Sequence, residues 1–66
     1  MVKEIVLIVL LFNGELKLTP LPFEGTVHEC FGYGYQLRTE LATYNDEQNI
    51  WYINHGPGTW QGFICQ

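Results

Sequence analysis

The sequence predicts an α+β fold of the form ββαββ: a four-stranded antiparallel sheet, in the order 2-1-3-4, with one helix packed on one face. Three observations carry this. An apolar, β-branched run from Lys3 to Phe12 stops at Asn13-Gly14, a hairpin turn signal. A helix-capping pattern stands at Thr26-Val27-His28-Glu29. Two aromatic-rich runs flank Gly56-Pro57-Gly58.

The first run is apolar without alternation, so it is a buried helix or a strand covered on both faces. Its Ile and Val content and the Asn-Gly stop favour the strand. It is far shorter than the roughly 20 residues that a membrane-spanning helix needs. Glu4 and the lack of a small-x-small site argue against a secretory leader. After the turn, Leu16 and Leu18 alternate with Lys17 and Thr19, the pattern of a half-exposed strand. Pro20 and Pro22 cannot donate to a ladder, so this segment ends there or lies at a sheet edge.

In the capping pattern the Thr26 hydroxyl accepts from the Glu29 amide, and the Glu29 carboxylate reaches back. An apolar stripe follows at Val27, Cys30, Phe31, Leu37 and Leu41, which is helical spacing. Gly32 and Gly34 interrupt it; each costs about 1 kcal/mol against alanine, which points to close approach by the sheet or another chain. Arg38 and Glu40 are expected to face water, and Tyr44-Asn45-Asp46 to end the helix. Residues 49–55 and 59–65 then form a second hairpin, with Ile53 near Trp60 and Trp51 near Gly62.

At 66 residues the chain is one small domain, 1–66. Such a domain buries only about 60% of its unfolded surface, which leaves little room for a closed pocket between lobes. Charged residues make up 15%, against about 25% in an average protein, while hydrophobic residues make up 47%. Seven acids face three bases, so the chain is acidic, with a net charge of −4. Three scattered bases make no phosphate-binding stripe, so neither nucleic acid nor membrane is an expected partner.

The leading strand has a consequence. Ile5 to Phe12 puts four large apolar side chains on each face of the sheet. One helix covers one face. Leaving the other in water forfeits about 6 kcal/mol, a large sum beside the stability of a small domain. The expected cover is another copy of the chain, so a homo-oligomer formed through this second face is predicted, or else a host or viral protein. A curled sheet wrapped by its own aromatics is the alternative.

From Gln48 to Gln66 no side chain is formally charged. Charge-depleted aromatic surface marks interface cores. Trp51, Tyr52, Trp60 and Phe63, with Tyr33 and Tyr35 on the helix, are therefore the candidate binding residues, although strand alternation assigns half of the strand aromatics to the core.

No cofactor, metal site or catalytic residue is expected. His28, Glu29 and Cys30 are consecutive and diverge on a helix, whereas helical metal pairs need spacings of three or four. His55 sits beside a turn. Cys30 and Cys65 make one disulfide or two buried thiols. If helix and two strands run back and forth, Cys65 lies near the far end of a helix about 22 Å long. That topology argues against an intrachain bridge, whose Cα atoms must lie within about 7 Å.

The segments VKEIVLIVLLFNGELK, VHEC and GTWQGFICQ cover about half of the chain. On them it resembles the short, uncharacterised open-reading-frame proteins of tailed phages that infect marine bacteria. The resemblance implies a virion component or a small host-directed effector, in the host cytoplasm or the virion, and no functional residue. Three functions are expected in decreasing order. The first is a non-enzymatic interaction protein that acts as a homo-oligomer and binds another protein through aromatic surface. The second is a capsid decoration subunit. The third is an enzyme whose site forms between subunits, where His28, Glu29 or Tyr33 meet.

Overall fold

A computed structural model describes all 66 residues. Its elements are β1 (Val2–Leu10), β2 (Leu16–Gly25), α1 (Val27–Leu41), β3 (Ala42–Asn45), β4 (Ile50–Ile53) and β5 (Thr59–Cys65). The α+β class holds, with a single helix. The sheet has five antiparallel strands in the order β2-β1-β5-β4-β3, where four in the order 2-1-3-4 were expected.

The extra strand is β3. The helix stops at Leu41, and Ala42 is already extended (φ −138°, ψ 159°). Helix passes to strand with no loop between. The carbonyls left open at the helix end are taken up by Asn54, whose backbone N–H donates to the Leu41 oxygen (2.9 Å) and whose side-chain amide donates to that of Glu40 (3.5 Å). Tyr44-Asn45-Asp46 therefore does not end the helix. Tyr44 and Asn45 lie in β3, and Asp46 opens the turn into β4, where Asn49 adopts a left-handed φ of 58°.

β1 is an inner strand and β2 an edge. β2 runs through both prolines to Gly25. The register explains how. Glu4 and Gln66 exchange both backbone bonds, so alternation turns the even residues of β1 toward β5 and the odd ones toward β2. Pro20 and Pro22 pair with even residues, Val6 and Glu4. Their missing donors fall on the solvent edge and cost the ladder nothing.

The capping box at Thr26 forms as the residues dictate: the Glu29 amide donates to the Thr26 hydroxyl (3.1 Å) and the Thr26 amide to the Glu29 carboxylate (2.9 Å). The buried stripe of α1 is Cys30, Gly34 and Leu37. It is narrower than expected, for Val27, Phe31 and Leu41 stay exposed. The core lies between this stripe and Ile5, Leu7, Ala42 and Trp60, with Ile5 wholly enclosed. Burial of each of Ile5, Leu7 and Leu37 contributes roughly 1.5–3 kcal/mol. α1 starts beside the Gly25 end of β2 and ends at β3, so it crosses the sheet from edge to edge. The Lys17 and Thr19 end of β2 lies off this path, where a polar pattern costs nothing.

Cys30 and Cys65 are joined by a disulfide, with Cα atoms 6.3 Å apart. This overturns the expected separation. β3 adds one reversal of direction, which returns Cys65 to the N-terminal end of the helix, opposite Ile5. Helix and two strands alone leave it at the other end.

Candidate functional site

The helix-free face carries Val6, Ile8 and Leu10 of β1, Leu16, Leu18, Pro20 and Pro22 of β2, and Ile64 of β5, as the pairing register requires. Val6 is only 8% exposed although no helix covers it, and Ile8 and Leu10 are half-buried. Flanking side chains shield the central strand. Exposure shifts outward to Leu16 (62%), Leu18 (57%) and Ile64 (47%). The strand ends at Leu10, so Leu11 and Phe12 belong to the turn and not to this face.

A second surface lies on the helix side. Phe31, Tyr35 and Arg38 of α1 face Trp51 of β4 and Trp60, Gln61, Gly62 and Phe63 of β5 around a groove of about 360 Å³. That volume falls within the usual range of roughly 300–1,000 Å³ for ligand sites. Local structure places each wall. Gly34 lets the helix descend onto Phe63, whose ring meets Tyr35 edge-on at 5.4 Å and Phe31 at 6.0 Å. The register of β5 against β1 shifts between Ile8 and Val9, which leaves Gln61 as a bulge. Gly62 follows with φ +151°, a conformation that favours glycine, and open space where a side chain would stand.

Arg38 does not simply face water. Its guanidinium lies over the rings of Trp51 (4.4 Å) and Tyr35 (5.1 Å), stacked by cation–π attraction. No carboxylate lines the groove, and Arg38 Nε is buried without a hydrogen-bond partner. The residue is thus a cation held by aromatic faces, with its Nε unpaired.

The structure gathers Tyr35, Trp51, Trp60 and Phe63 of the expected binding residues around this one groove. Trp60 is buried and serves the core as much as the surface. Tyr33 is not part of it, for its ring stacks on Phe23 at 5.5 Å. Tyr52 pairs with Thr59 and so points to the helix-free side, its hydroxyl donating to Gln48. That pairing sets Trp51, and not Ile53, level with Trp60. Phe31 and Arg38 join the groove although sequence reasoning had put one in the core and the other in solvent. Their spacing of seven residues, with Tyr35 between them, is the helical signal that marks one face.

Elsewhere the chemistry-bearing side chains are occupied or dispersed. The Glu29 carboxylate is engaged at the cap, and its hydrogen bonds from the backbone and hydroxyl of Thr26, with a smaller effect of His28, hold its pKa below the ordinary 4.5. No three His, Cys, Asp or Glu side chains converge as a metal-binding group would. No helix is long and apolar enough to cross a membrane. No family model, curated protein or solved structure matches this chain.

Proposed function

We propose that this is a small non-enzymatic interaction protein, which associates with its own copies through the helix-free sheet face and holds another protein in its aromatic groove. The observation that carries the reading is the uncovered face whose centre, Leu18, Ile8 and Ile64, is apolar, with Glu4 at its Pro22 end. An acidic chain repels its own copies wherever charge is exposed, so self-contact favours a patch without charge. The area suits it too. The molecule measures 36 × 23 × 17 Å, and its thin dimension is the depth of two layers. The broad face as a whole is therefore roughly 800 Å², so a stable interface, to which each partner gives about that area, takes in nearly all of it.

The setting is read from the disulfide. Structural bridges persist outside the reducing cytosol, which favours the virion or an extracellular site over the host cytoplasm. The same observation supports the second reading, a subunit that decorates a capsid. Sedimentation equilibrium tests the self-association, with a dimer or small ring expected. A monomer at high concentration overturns this part of the reading. Cross-linking to isolated virions separates the two roles, since a decoration subunit is recovered on the particle.

A further inference from the structure

We propose that the aromatic groove accepts an extended, acidic peptide segment of a partner protein, which adds as a strand to the open side of β5 and places a carboxylate on Arg38. The inference rests on the interaction reading above and names the chemistry of the partner.

The first observation is an unpaired strand flank inside the sheet. β4 pairs with β5 only at Tyr52 and Thr59. β4 begins at Ile50, level with Gln61, so β5 runs on from Gly62 to Cys65 with β1 on one side and no strand on the other. Ile64 and Gly62 lie opposite Val6 and Ile8, and the exchange between Glu4 and Gln66 sets the alternation. The backbone groups of Ile64 and Gly62 therefore turn to β1, and those of Phe63 and Cys65 turn to the open side. Strand addition uses such a row, main-chain bonds giving affinity and side-chain pockets giving specificity.

The other edges are poor templates. Two prolines interrupt the outer side of β2, and β3 has only four residues. The flank of β5 borders the aromatic groove, and Gln61, Gly62 and Phe63 belong to both.

The second observation is the charge. Arg38 is the only formally charged residue lining the groove. Its planar fork matches a carboxylate, and stacking on Trp51 and Tyr35 holds the fork in place before any ligand arrives. The buried, unpartnered Nε is a donor that lacks its acceptor. An acidic side chain on a strand beside β5 pairs with the Arg38 guanidinium, while its apolar neighbours meet Phe31, Tyr35 and Trp51.

The experiment is a selection of displayed, fully randomised dodecapeptides on the disulfide-bonded protein, run in parallel on Arg38→Gln and Arg38→Lys. Wild type is expected to enrich β-prone peptides with an acidic residue. Their synthetic forms should shift the amide resonances of Gln61 to Cys65 and slow hydrogen exchange at Phe63 and Cys65. Replacing the peptide's acid by its amide, or Arg38 by Gln, should weaken binding about tenfold, as loss of a charge-assisted bond does. Arg38→Lys should recover part of the affinity, which separates charge from folding. Enrichment without acidic bias, amide shifts confined to the sheet face, or no enrichment above background each overturns the proposal. Shifts on the sheet face would leave the interaction reading standing; self-association is measured separately.

Discussion

Gly34 of α1 sits so close to the ring of Phe63 in β5 that a methyl group at that glycine would overlap the ring. The contact sets the depth of the helix on the sheet, and with it the width of the groove. Gly32, two residues earlier, has open space around it.

The two glycines therefore predict opposite outcomes. Gly34→Ala should destabilise the fold by roughly 1–3 kcal/mol, since Phe63 is confined by Phe31, Tyr35 and Trp60 and cannot swing aside freely. Gly32→Ala should stabilise it by about 0.5–1 kcal/mol, through helix propensity alone. Urea denaturation of the pair decides this; equal effects would mean that Phe63 does not set the helix depth.

The bridge between Cys30 and Cys65 closes a separation of 35 residues. By chain entropy such a loop contributes about 4 kcal/mol. In a domain this small, reduction or the double replacement by alanine should lower the melting temperature by roughly 15–30 °C. Intact-mass measurement with and without reductant establishes the bond, and calorimetry gives the shift. A reduced protein that melts within a few degrees of the oxidised one contradicts the assignment of a structural role.

The capping box makes stability depend on acid. Hydrogen bonds from Thr26 hold the Glu29 carboxyl below its ordinary value of 4.5. A depressed carboxyl pKa stabilises the fold fully above the unfolded value, and that contribution is lost as pH falls through the folded one. Thr26→Ala removes the cap and should cost about 1 kcal/mol at neutral pH. Glu29→Ala removes the carboxylate that the Thr26 backbone amide holds ionised, and the gap between this variant and wild type should narrow in the acid range below 4.5. Thermal melts across that range check both statements.

On the helix-free face, Leu18 and Ile64 are exposed in the single chain, so charge there leaves the core intact. Leu18→Lys with Ile64→Lys should convert an oligomer to a monomer in sedimentation equilibrium, with an unchanged circular dichroism spectrum. Should the doubly charged variant sediment as the wild type does, the self-contact lies elsewhere.

Much of the local structure was legible in the residues. Asn13-Gly14 announced the first hairpin, Thr26 and Glu29 the helix start, Pro20 and Pro22 the edge strand, and Gly56-Pro57-Gly58 the second hairpin. Each is a cue whose partners lie within a few residues, so chain chemistry alone decides it. The groove was legible only in part. Tyr35, Trp51, Trp60 and Phe63 stood out by type, but Arg38 looked like an ordinary solvated charge, because Trp51, the nearer of the two rings that hold it, comes from β4.

What the sequence by itself determined is the α+β class, the single helix with its first turn, and the hairpin turns at Asn13-Gly14 and Gly56-Pro57-Gly58. Only the tertiary structure decided that Ala42 to Asn45 is a strand, that β5 inserts beside β1, and that Cys30 meets Cys65. The physical reason is one of parity and distance. Four residues that follow a helix without a turn give no local sign of pairing, since their ladder partner in β4 and the Asn54 cap on the helix end come later in the chain. Yet that one added reversal fixes which end of the sheet every later residue reaches.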